Sequence, residues 1–227
     1  MAAYDLEEQE QLAELKAWWK QYGNLLINLL LGVMVAILAW QGWNYYQGKQ
    51  AGESGLLYNA LQAAIQKNDL QQIKVANGEL VSKYGSSTYA SLGALMTAKA
   101  LVDSGDTKTA RLQLTWVIEH ASEELRDLAR LRLAALMVDE KEFDAALKQL
   151  DGKSVAALEP RFAEMRGDVL VEQGKKKEAV DAYTLALSKL DGQDKASDQA
   201  GAKAQTQTSQ VAHELIQMKL DSLGGSK

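Results

Sequence analysis

The chain has 227 residues, a formal net charge of −5, two histidines and no cysteine. That length suits one or two domains. The acidic balance gives no basic footprint for nucleic acid, and so few thiol and imidazole groups exclude most soft-metal and redox chemistry, so no cofactor is implied. Pro160 is the single proline, and Ala, Leu, Gln, Lys and Glu dominate. All five are good helix formers, so the expected fold class is all-α.

Residues 1–20 read as an amphipathic segment. Asp5-Leu6-Glu7-Glu8 has the form of a capping box, and Leu12, Leu15, Trp19 and Tyr22 recur at helical steps to make one apolar stripe. The acidic cluster reads as a solvated helix start favoured by the helix dipole. A contact for a basic cytosolic partner is the sharper alternative.

Residues 21–48 carry no charge. About 20 apolar residues cross a hydrocarbon core of roughly 30 Å, so the run is long enough to span a lipid bilayer. Trp18, Trp19 and Tyr22 flank one end, and Trp40, Trp43, Tyr45 and Tyr46 flank the other. Amphipathic rings favour the two headgroup zones, and Lys16, Lys20 and Lys49 can reach water just outside them. A cleaved signal fits less well: Asp5, Glu7, Glu8, Glu10 and Glu14 outnumber Lys16 and Lys20 before the core, and no small-x-small cleavage pattern follows it. A buried core helix is the third reading, and a permanent anchor is the one adopted. The slight lysine excess before the span favours a cytoplasmic N-terminus with the long C-terminal part outside. Within the span, Gly32 and Ala36 give a small-xxx-small spacing and Asn28 is polar. Together they could form an intramembrane helix contact; the other reading is that membrane helices often carry glycine and that Asn28 bonds its own backbone.

From about residue 52 the chain reads as helix after helix, with turn signals at steps of roughly 13–20 residues. Ser87, Thr107, Ser122 and Pro160 are plausible helix starts. The small residues Ala76, Ala110, Ala146 and Ala179 stand 34, 36 and 33 apart; each follows another small residue by 12 positions (Ala64, Ala98, Ala134, Gly167), and each precedes a bulky one by four (Leu80, Leu114, Leu150, Tyr183). This is the tetratricopeptide pattern, in which small residues stand where paired helices cross closely. About four helix pairs are expected over 52–190, then a flexible loop over 191–205 and a capping helix over 206–223. A plain bundle with accidental alanine spacing is the competing reading.

No catalytic constellation assembles. His120 and His213 are far apart and have no clustered carboxylates, so an enzyme is not expected. The concave face of a helical solenoid is the more useful surface. Tyr58, Leu61, Ile65, Leu92, Leu95, Lys99, Leu131, Glu164, Asp168 and Val171 fall near it in this register. Its apolar half would suit an unfolded segment or a partner helix; core packing between repeats is the other role, favoured for more than half of these residues.

The acidic start "YDLEEQEQLAELKAWWKQYG", the single span, "QGWNYYQ" after it and the weak repeats together resemble the YfgM-type ancillary subunits of the SecYEG translocon. The likeness covers the full length and is most specific over Glu7 to Gly23. It implies a single-pass bacterial inner-membrane protein with a cytoplasmic N-terminus and a periplasmic repeat domain. It also implies association with SecYEG and with the periplasmic chaperone PpiD, and the passing of newly exported, unfolded polypeptides to periplasmic chaperones. A scaffold for envelope or outer-membrane assembly machinery is the alternative built on the same fold.

Overall fold

The computed structural model describes residues 2–199 and 206–224. Among the described residues it holds nine α-helices, one short 3-10 turn at Ala156–Leu158, and no strand. The chain divides into two compact units, Met1–Glu53 and Ser54–Lys227.

The first unit lies within helix α1, Ala2–Gln66, which also supplies the first helix of the second unit. Gly48 and Gly52, between the apolar run and the repeats, are helical. α1 contains the single stretch among the described residues that is long and apolar enough to cross a membrane; its most apolar 18 residues have a mean hydropathy of 2.1 and only 6% of them are buried. Leu29, Leu30 and Leu31 are all exposed, although successive residues turn about 100° around a helix. The exposed apolar surface therefore circles the helix rather than lining one face. That is the composition of a single membrane crossing, not of an amphipathic surface helix.

The second unit is a stack of antiparallel helix pairs. The end of α1 pairs with α2 (Leu70–Tyr84), α3 (Thr88–Asp103) with α4 (Thr107–His120), α5 (Glu123–Asp139) with α6 (Phe143–Leu150), and α7 (Glu159–Glu172) with α8 (Lys176–Gln199). α9, Thr206–Ser222, then closes the last apolar face with Ile216 and Leu220. Local signals set the boundaries. Asp69, Ser87 and Asp106 accept hydrogen bonds from the amides of Gln72, Ala90 and Thr109 at the starts of α2, α3 and α4. Thr107, expected as a start, is the first helical residue and Asp106 is its cap. Ser122 occupies its expected cap position without a side-chain bond, and Pro160 sits in the first turn of α7. α8 continues through Gln199, past the loop expected from 191, because Gly192 costs only about 1 kcal/mol in a helix and no proline stops it. Residues 200–205 lie outside the described residues.

The turn between paired helices repeats one geometry. Asn68, Gly105, Lys141 and Gly174 have φ of 52°, 84°, 62° and 74°. Counting from them aligns Ala98, Ala134 and Gly167 with Leu61, and Ala110, Ala146 and Ala179 with Ile73. The register expected for the first repeat, Ala64 with Ala76, is therefore off by three. Leu61 and Ile73 are 0% and 2% exposed, whereas Ala76 is half-buried. Two large side chains fit at this crossing because the neighbouring helix gives way: a Cβ on Gly93 of α3 would stand 3.1 Å from Leu61 Cδ2 and 3.0 Å from Leu80 Cδ1.

Residues 151–155, between α6 and the 3-10 turn, are irregular and are tied down by charge. Asp127, 1% exposed, accepts from Arg130 at 2.9 Å and from the Val155 amide at 2.7 Å. Arg130 also donates to the carbonyls of Gln149, Asp151 and Lys153 and lies over the Phe162 ring. A buried carboxylate is tolerable only when paired and bonded in this way.

Gly167 tests the repeat packing. A Cβ there would stand 2.5 Å from Tyr183 Cε1. Gly→Ala in a helix interior ordinarily gains about 1 kcal/mol, but overlap with a buried ring costs about 1–3 kcal/mol. Gly167→Ala is therefore expected to lower the Tm measured by circular dichroism. Gly78→Ala on α2, where nothing lies within 4 Å, is expected to hold or raise it.

Candidate functional site

Two surfaces have the character of contact sites, one in each unit. On α1 the aromatic side chains bracket the apolar run. Trp18 and Tyr22 approach at 5.8 Å, and Trp43 and Tyr46 at 6.5 Å between ring centroids. Trp19 lies across Gly23, where a Cβ would meet its ring at 3.2 Å. Tyr46 accepts a 2.6 Å bond from Gln50, while Trp40 and Tyr45 are exposed. Asn28, Gly32 and Ala36 are exposed, and no atom lies within 4 Å of a Cβ on Gly32.

In the repeat domain the expected groove residues separate into three groups. Leu61 and Leu95 are buried core. Tyr58 donates to Met96 Sδ at 3.2 Å and packs against Tyr89, Leu92 is half-buried, and Val171 packs on the last core cluster. The other five line two cavities. Ile65 and Lys99 border one of about 430 Å³ between the first two repeats, with Ile73, Met96, Asp103 and others. Leu131, Glu164 and Asp168 border one of about 340 Å³ between α5 and α7, with Leu128, Arg132, Ala135, Arg161 and Met165.

The second cavity is a charged site whose key members were not legible in the repeat pattern. Lys219 of α9 donates to Glu164 at 2.7 Å and to both oxygens of Asp168 at 2.8 and 2.9 Å. Tyr183 donates to Asp168 Oδ1 at 2.7 Å. Burial acts to lower the Lys219 pKa, but the bonds to Asp168 and Glu164 outweigh it and hold the value above the ordinary lysine range. Burial, and then its bond to Asp168, push the Tyr183 phenol upward. Arg132 reaches from α5 to the carbonyl of Leu95 at 3.1 Å, and burial lowers its pKa. Nothing in the spacing of α9 marks Lys219 as facing α7, and Arg132 and Arg161 are set by packing between repeats. Among the described residues, no three His, Asp or Glu side chains gather to hold a metal.

A family model described as a tetratricopeptide repeat-like domain matches residues 16–225. An ancillary SecYEG translocon subunit of Neisseria gonorrhoeae is 33% identical over 98% of this chain and 100% of its own length. The chain belongs to this family. An ancillary SecYEG translocon subunit of Escherichia coli is 29% identical over 95% of this chain and 96% of its own. Among solved structures, MamA from Desulfovibrio magneticus RS-1 covers 76% of this chain and 97% of its own at 16% identity and a TM-score of 0.47.

The Lys219 cluster has a defined pH signature. Both shifts are upward, so the stabilisation they represent is complete below the ordinary tyrosine and lysine range near about pH 10. It is lost as pH rises through the higher folded-state values. Lys219→Met leaves Asp168 and Glu164 without their cation and is expected to cost about 1–3 kcal/mol at neutral pH. In urea titrations the wild type is expected to hold its midpoint to about pH 10 and then lose it, and the variant to decline less steeply there.

Proposed function

We propose that the chain is a non-catalytic, single-pass ancillary subunit of the Sec translocon in the bacterial inner membrane. Its N-terminus lies in the cytoplasm and its repeat domain in the periplasm. There it receives newly exported, unfolded polypeptides and passes them to periplasmic chaperones, PpiD among them. The end-to-end similarity to ancillary SecYEG translocon subunits carries this reading, because it includes the anchor as well as the repeats.

The physical logic is one of tethering. A membrane-held module works at an effective concentration that a free one does not reach, without any new contact. Two cavities lie between the stacked helix pairs, each lined by apolar and charged side chains of the kind that peptide recognition uses. The few described ionisable clusters bind one another, as Lys219, Glu164 and Asp168 do, and so have the character of structural ion pairs rather than a reaction centre.

Affinity purification of the tagged full chain from gently solubilised membranes is expected to recover SecY and PpiD. In spheroplasts, added protease is expected to digest the repeat domain, while in intact cells it is expected to leave the domain whole. Loss of both partners from the purified material, or a repeat domain protected in spheroplasts, would overturn the proposal.

A further inference from the structure

The chain has six arginines. Four are matched: Arg111 with Glu140 and Glu142, Arg126 with Glu123, Arg130 with Asp127, and Arg166 with Asp151. Arg132 and Arg161 pair with no carboxylate among the described residues, and both line the cavity between α5 and α7. The two carboxylates that share this cavity, Glu164 and Asp168, are already bound by Lys219. Lys219 offsets only one of those two carboxylates, so with Arg132 and Arg161 the groove sums to +1 in a chain whose net charge is −5, and neither arginine is held in an ion pair among the described residues.

The rest of the lining is apolar. Leu128, Leu131, Ala135 and Met165 bound a space of about 340 Å³, at the small end of ligand pockets and large enough for a bulky side chain. Methionine at such a surface adapts to differently shaped apolar partners. Arg132 spends one terminal nitrogen on the Leu95 carbonyl and keeps further donors on its planar fork, the geometry that matches a carboxylate. The other cavity makes the contrast. There Lys99 and Asp103 close on each other at 2.6 Å and leave no charge to be answered.

We infer that the groove between α5 and α7 binds a peptide segment in which an apolar side chain lies next to a carboxylate. The apolar group enters between Leu131 and Met165, and Arg132 and Arg161 hold the acid. This rests on the reading of the repeat domain as a docking module and names the partner chemistry of one of its grooves. Charge-assisted bonds of this kind give specificity more than raw affinity.

The test uses full-length protein in nanodiscs and two fluorescein-labelled peptides, one alternating leucine with glutamate and one leucine with glutamine. The glutamate peptide is expected to bind about tenfold tighter, with the difference shrinking at high salt. Arg161→Gln, at an exposed position, is expected to keep the Tm and to reduce the preference to about twofold or less. Arg161→Glu is expected to favour a leucine–lysine peptide instead. Equal affinity for the two peptides, or a preference unchanged in Arg161→Gln, would overturn the assignment. So would full competition by inorganic phosphate, which would make the groove a general anion site. A chain that still co-purifies with SecY while showing no acid-dependent peptide binding loses this groove assignment and keeps its proposed function.

Discussion

Apolar side chains on every side of a helix must be covered by something, and between Leu25 and Leu38 almost no protein does so. Ten Leu, Ile and Val side chains stand in that stretch, and nine of them are largely exposed. Their transfer into lipid is worth roughly 3–6 kcal/mol by insertion scales. The backbone also satisfies its own polar groups, because a continuous helix closes all of its hydrogen bonds within the segment. Asn28 is the one polar side chain inside this stretch, and its cost is small against the sum. The aromatic pairs Trp18–Tyr22 and Trp43–Tyr46 stand at the two ends of the apolar run.

The repeat domain solves a different problem. Short helices are marginal alone, so each pair must bury its neighbour's face, and close crossing needs small residues. Three repeats place Ala or Gly at both crossing positions. The first uses Leu61 and Ile73 and takes its space from Gly93 instead. The last repeat has Gly167 under the Tyr183 ring, and the hydroxyl of that ring enters the Lys219 cluster. The packing of the final crossing and the charge balance of the α5–α7 groove thus share a residue.

Much of this was legible in the order of residues. The uncharged run with paired aromatic ends gave the membrane segment, since both signals depend on composition along the chain. The later repeats were legible because small–small–large spacing reflects local helix pairing. The first repeat was misregistered because alanine is common and Ala64 is indeed buried, while the compensating Gly93 lies on a different helix. Helix α8 ran past Asp191-Gly192 because those residues discourage a helix without stopping one. Arg132, Arg161 and Lys219 come together only through the stacking of α5, α7 and α9, and no local pattern encodes that meeting.

The absence of cysteine from the chain makes one measurement direct. Single cysteines placed in turn along residues 16–53 of the full-length protein would be probed in membranes with a water-soluble maleimide. A lipid-embedded span predicts a continuous block of protection centred on residues 25–38, with labelling recovered outside Trp18 on one side and Tyr46 on the other. Labelling that instead rises and falls every three to four residues, as on a helix lying on a surface or in a protein core, would contradict the account.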